Sequence, residues 1–138
     1  MPSIFVLDSS ALINNSAFSF EGKKCAMTNL CLLELKEWSV REKAEFAIRA
    51  KELEIVDPCP NWTAKVLKVA EKIGDSKLSA ADISCLALAA EWKEKGKNVR
   101  LVSDDFSVQN MAKHLKIPFV SVSKPGIKRK RVFKRKTL

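Results

Sequence analysis

Residues Ile4–Leu7 form an unbroken apolar run that stops at Asp8. In an extended strand, successive side chains point to opposite faces. A strand apolar at every position therefore has no face for water. It belongs at the centre of a parallel sheet, with helices covering both sides. Val99–Val102 is a second such run, closed by Ser103-Asp104-Asp105, and Leu53–Val56 and Ile117–Val122 read as further strands. The segments between them carry helix signals. Thr28 is the expected N-cap of a helix bearing Leu30, Leu33, Leu35 and Trp38, and a second helix follows over about 39–53. Asn61 is the expected cap of a helix running to Ile73 and closed by Gly74. Ser79 opens a helix with Ile83, Leu86, Ala87 and Ala90 on its apolar face, stopped by Gly96, and 106–115 is the last helix. The resulting order, β-α-α-β-α-α-β-α-β, predicts an α/β three-layer α/β/α sandwich around a central parallel sheet.

The chain has 138 residues, of which 46% are hydrophobic. That suits one domain with its own core and excludes wholesale disorder. The apolar runs are too short and interrupted to span a bilayer, so no membrane partner is expected. The start, MPSIFVLDSS, lacks a basic segment and does not read as a signal peptide. The cysteines, Cys25, Cys31, Cys59 and Cys85, form no C-x-x-C pair. This argues against a zinc site in these residues and for reduced thiols in a cytoplasmic setting. The net charge is +9, from 25 Lys and Arg against 16 Asp and Glu. Eight of the basic residues and no acidic ones fall in 124–138, leaving 17 basic against 16 acidic in 1–123. The expected organisation is a nearly neutral domain over 1–123 and a basic tail over 124–138. A uniformly basic nucleic-acid wrapper is excluded.

Two strands end in acids, Asp8 and the pair Asp104-Asp105. In open parallel sheets, sites gather beyond the carboxyl ends of the strands, at the topological switch point. Glu34 lies within an apolar helical stretch, and Asp82 lies in the first turn of the helix that begins at Ser79. Converging carboxylates repel one another and need counter-charge, for which hard Mg²⁺ or Mn²⁺ ions, one or two of them, are suited. Such ions activate water and stabilise leaving oxygens in phosphodiester hydrolysis. With a single histidine, His114, and no tyrosine, the composition leaves little else for this chemistry. Each acid also has a purely structural alternative. Asp82 fits a capping box with Ser79, Asp8 can cap a turn, and Asp104-Asp105 can form a turn and N-cap before Phe106.

Taken together, Val6-Leu7-Asp8-Ser9-Ser10-Ala11-Leu12-Ile13, Leu33-Glu34-Leu35, Ser79-Ala80-Ala81-Asp82-Ile83-Ser84-Cys85-Leu86-Ala87-Leu88-Ala89 and Leu101-Val102-Ser103-Asp104-Asp105-Phe106 resemble a PIN-domain ribonuclease over residues 1 to about 122. The run Asp104-Asp105-Phe106-Ser107-Val108-Gln109-Asn110 is most similar to the archaeal and eukaryotic NOB-one type. The resemblance implies a PIN-like fold and a Mg²⁺- or Mn²⁺-dependent single-strand endoribonuclease that matures the 3′ end of precursor small-subunit rRNA. Asp8, Glu34, Asp82 and Asp105 match the catalytic acids. Asp8, Asp82, Asp105 and the adjacent Asp104 are the candidate metal ligands, and Ser9, Ser10 and Ser103 the supporting hydroxyls. Gln109 and Asn110 are candidates for RNA contact, with a polar helix face as the favoured alternative. The NOB-one type typically continues into a four-cysteine zinc ribbon, and no cysteine follows Cys85 here.

A phosphodiester polyanion approaching an acid cluster needs positive surface as well as metal. Lys128, Arg129, Lys130, Arg131, Lys134, Arg135 and Lys136 are the candidate RNA contacts, with Phe133 among them for base stacking or for fastening the tail. The expected partners are precursor rRNA, proteins of the pre-ribosomal particle and, since such domains often pair, a second copy of the chain. Two rivals stand beside this reading: a VapC-type toxin ribonuclease, and a catalytically silent RNA-binding module of ribosome assembly.

Overall fold

The computed structural model describes residues 2–13 and 18–122; the basic segment 124–138 lies outside the described residues. Five strands form one parallel sheet: β1 (Ile4–Leu7), β2 (Lys24–Met27), β3 (Leu53–Ile55), β4 (Val99–Val102) and β5 (Phe119–Val120), in the order β3-β2-β1-β4-β5. β1 lies at the centre, pairing through Phe5 with Cys25 on one side and Arg100 on the other. Adjacent residues Val6 and Leu7 are both fully buried, as are Leu101 and Val102, so both faces of the sheet are covered. The helices are α1 (Ser10–Ile13), α2 (Asn29–Leu33), α3 (Trp38–Arg49), α4 (Pro60–Ile73), α5 (Ala80–Glu94) and α6 (Phe106–His114). By the right-handed crossover rule α1 and α3 cover one face and α4, α5 and α6 the other, giving three layers, while α2, at the end of β2, packs against α5.

Two elements depart from the sequence-based order. β2 and the single-turn α1 were not expected. β2 reads Lys-Cys-Ala-Met and has no β-branched or aromatic residue to mark it as a strand. The first of the two expected helices is shorter than its apolar residues suggest, and Trp38 opens the second, α3. α2 ends after Leu33, so the helical period does not carry through: Leu35 is buried, whereas Leu33 and Trp38 are exposed. At α4 the cap is Cys59, not Asn61. Pro60 occupies the first turn, and Glu91 of α5 accepts the Cys59 N–H at 2.9 Å. Gly74 closes α4 in the left-handed conformation, with φ 74°.

α5 runs through the middle of its layer and is buried from Ile83 to Ala89. It is fastened to α2 by side chains. Ser84 donates to the Ala81 carbonyl at 2.7 Å. The Thr28 hydroxyl meets Ser84 Oγ at 2.7 Å while accepting the Cys31 N–H as N-cap of α2. This link fixes the start of α2 against the first turns of α5; Glu34 closes the one helix and Asp82 stands in the first turn of the other. No helix among the described residues is long and apolar enough to cross a membrane.

Candidate active site

The chain runs from β1 to β2 and β3 on one side and returns through β4 and β5 on the other. The switch point therefore lies between β1 and β4, where connections diverge and leave a crevice at the carboxyl ends. Asp8 stands there. Its N–H extends the ladder to the Val102 carbonyl at 3.2 Å, and the residue is 2% exposed. Oδ1 accepts the Ser10 hydroxyl at 2.7 Å and the Ala11 N–H at 3.1 Å, and Oδ2 accepts the Ser103 hydroxyl. Burial pushes the Asp8 carboxyl up to about 6; the Ser103, Ser10 and Ala11 donors oppose the rise and the charge of Asp82 adds to it.

The other acids reach the crevice from element ends. Glu34 is the C-cap of α2, and its Oε1 accepts the Ser9 hydroxyl at 2.6 Å. Asp82 is in the first turn of α5 and forms the capping box with Ser79. Its carboxylate accepts the Ser79 N–H at 3.0 Å, and its own N–H donates to Ser79 Oγ at 3.1 Å. Burial raises the Asp82 carboxyl above its usual range, and the charges of Asp105 and Glu34 push the same way against the Ser79 contacts. Asp105 is the N-cap of α6. Its Oδ1 accepts the Val108 N–H at 3.1 Å, and its N–H donates to Ser103 Oγ at 3.0 Å.

Glu34, Asp82 and Asp105 line one open recess of about 450 Å³ with Ser9, Ile13 and Lys36, and the buried Asp8 carboxylate lies within electrostatic reach of Asp82. Asp82 and Asp105 cap helices and line the recess at once. Asp104 is turned elsewhere. Its Oδ1 accepts the Ser121 hydroxyl and, at 2.8 Å, the Val122 N–H, which ties the loop after β4 to the end of β5. Its N–H donates to Ser10 Oγ at 3.0 Å. Asp105, and not Asp104, lines the recess. Gln109 is a buttress, donating from Nε2 to the Ser103 carbonyl at 2.7 Å. Lys36 went unnoticed in the sequence because it lies between helices, where no periodicity points to it.

Among the described residues, no three acid, imidazole or thiol groups form a closed metal-ligand set. Each of the four acids has at least one oxygen engaged with a scaffold donor. The donor chemistry still suits a hard divalent cation. The groups are all carboxylates, the charge of Asp82 raises the proton affinity of Asp8 and the charges of Asp105 and Glu34 raise that of Asp82, and the recess is open. Ions of the Mg²⁺ class use one or two carboxylates and keep several waters, so they need no closed protein cage.

The family profile described as "PIN domain of ribonuclease" matches residues 5–92, which include Asp8, Glu34 and Asp82. The protein named Endoribonuclease Nob1 in Archaeoglobus fulgidus is 32% identical over 117 residues, 84% of this chain and 66% of its own length. Endoribonuclease Nob1 of Pyrococcus abyssi is 34% identical over 125 residues, 90% of this chain and 71% of its own. Ribonuclease VapC1 of Thermoplasma acidophilum is 27% identical over 121 residues, 87% of this chain and 58% of its own. The chain thus spans about two thirds of the length of the Nob1 relatives.

Proposed function

This chain belongs to the PIN-domain ribonuclease family, and on that premise we propose that it is a divalent-metal-dependent endoribonuclease of single-stranded RNA, acting in the cytoplasm on the 3′ end of precursor small-subunit rRNA. The observation that carries the reading is the convergence of Asp8, Glu34, Asp82 and Asp105 from four element ends at the β1–β4 switch point. Asp8, Asp82 and Asp105 would hold one or two Mg²⁺ or Mn²⁺ ions, with Glu34 beside them. A bound ion supplies charge neutralisation and a water of lowered pKa.

The side chains supply order. Ser10, Ser103 and the Ala11 N–H fix the Asp8 carboxylate, and Ser9 fixes Glu34, so neither has to reorganise when a phosphate arrives. Lys36 offers the phosphate a cation at the rim of the recess. The basic residues of 124–138 would add sequence-independent grip. The ribosomal substrate is supported by the identity to the Nob1 relatives, and proteins of the pre-ribosomal particle and a second copy of the chain are the partners that fit it.

The test is cleavage of an RNA spanning the 3′ end of precursor small-subunit rRNA, with Mn²⁺ or with EDTA, beside Asp8→Asn and Asp105→Asn. Metal-dependent cleavage at one position, lost in both variants, is expected. Cleavage confined to tRNA or to folded rRNA loops would replace the ribosomal substrate with a toxin-type one. No cleavage of any RNA would defeat the enzyme reading.

A further inference from the structure

Phe106 opens α6 and is 79% exposed, more than any other large apolar side chain among the described residues. Packing does not account for an aromatic ring left in water immediately after Asp105. Phe106, Asn110 and His114 follow one another at i, i+4 and i+8, so they form a single stripe along α6. At 1.5 Å per residue that stripe is about 12 Å long. All three residues line an open recess of about 310 Å³, whose opposite wall is the α4–α5 connection with Gly74, Asp75 and Lys77. This recess adjoins the acid recess on two sides. Asp105 precedes Phe106 in the chain, and the connection that gives Lys77 to one recess gives Ser79 to the other.

The lining has the chemistry of a nucleobase site. An exposed aromatic face stacks on any base. The Asn110 amide offers both a donor and an acceptor to a base edge. Lys77, whose ammonium is in no ion pair among the described residues, offers a cation to the strand, while the Asp75 carboxylate is occupied in part by the Lys77 N–H at 3.0 Å. The groove of about 720 Å³ near Leu30, Leu67 and Leu78 has neither an aromatic ring nor a cation in its wall, and the recess of about 860 Å³ that has both, at Phe18, Phe46, Lys43 and Arg49, shares no residue with the acid recess.

We propose that Phe106, Asn110 and Lys77 form a subsite for one unpaired RNA base, next to the phosphate held at the acids. The assignment rests on the nuclease reading above. The base stacks on Phe106, and the subsite positions the strand so that a single phosphodiester lies over Asp82 and Asp105.

The test uses the full chain carrying Asp8→Asn, so that RNA is held without being cut. Single-stranded RNAs carry 2-aminopurine, or an abasic nucleotide, at each position in turn. Fluorescence quenching at one position is expected. Phe106→Ala is expected to raise Kd roughly tenfold, and Phe106→Trp to preserve it. The Phe106→Ala penalty should vanish when the RNA is abasic at the quenched position. Equal Kd for Phe106→Ala and its parent, or a penalty indifferent to where the abasic nucleotide lies, overturns the subsite and leaves the nuclease reading standing. A parent that binds no RNA overturns both.

Discussion

Ser103 and Asp8, 95 residues apart in the chain, are joined by a hydrogen bond from the Ser103 hydroxyl to Asp8 Oδ2. The same Ser103 oxygen accepts the Asp105 N–H. One small side chain therefore couples the acid after β1 to the acid after β4. It does so across the switch point, in a position with no access to water.

Asp8→Asn should abolish cleavage and stabilise the fold at neutral pH. The Asp8 carboxyl is raised from 3.8 to about 6, so between those values the folded chain holds a proton that the unfolded chain has released. The cost of the buried charge is absent below pH 4, grows through pH 6 and is complete above it. Its ceiling is on the order of 3 kcal/mol. Thermal unfolding at pH 7.5 should therefore shift upward in Asp8→Asn, and at pH 4 it should show no gain. An equal shift at both values would contradict the assignment.

Divalent-ion affinity should fall in acid. A cation at the recess competes with the protons that Asp8 and Asp82 hold above the usual carboxylate range. Calorimetric titration with Mn²⁺ should give a Kd roughly tenfold or more weaker at pH 5 than at pH 7.5. Proton release on binding should be largest near pH 6.

Ser103→Ala should move the acid limb of the pH–rate profile upward. The variant removes a donor that holds the Asp8 carboxyl down, and it leaves the Asp105 N–H without its oxygen. The stability loss should be on the order of 1–2 kcal/mol. A uniform drop in rate with an unmoved limb would make Ser103 a purely structural residue.

Thr28→Val, which keeps the volume, should destabilise by on the order of 1–2 kcal/mol through the lost N-cap and the broken link to Ser84. Because that link sets α2 against α5, kcat for RNA cleavage should fall with it while KM changes little. Chemical denaturation and steady-state kinetics on the same preparation check both.

Removing residues 124–138 should weaken RNA binding and flatten its dependence on salt. Each phosphate neutralised on a single strand contributes a slope of about 0.7. Several such contacts should therefore disappear from a plot of log Kd against log salt. Identical slopes for the full and shortened chains would remove the tail from RNA binding.

The sequence was most legible where one physical demand acted alone. The run before Asp8 could only be a doubly covered strand, and Ser79 and Gly74 marked helix ends through backbone geometry that few residues satisfy. It was least legible where tertiary packing overrode local preference. β2 has no strand-favouring residue and exists because β1 and β3 flank it. Glu34 read as the middle of a helix but is the residue at which α2 stops, and that stop turns its carboxylate toward Ser9. The sequence matched Asp105 to the catalytic acids but left the adjacent Asp104 beside it as a candidate metal ligand. Their separation depends on Ser121 and Val122, which arrive from the far end of the domain.

All five strands point the same way, so every acid of the recess stands at one pole of the molecule. Lys51 and Lys116, both exposed and both with positive φ, sit in the turns that lead into β3 and β5 at the opposite pole. A tether attached site-specifically at either position would hold the domain by its back and leave the acid recess open to solution. Handles for single-molecule work on RNA cleavage are therefore built into the direction of the sheet.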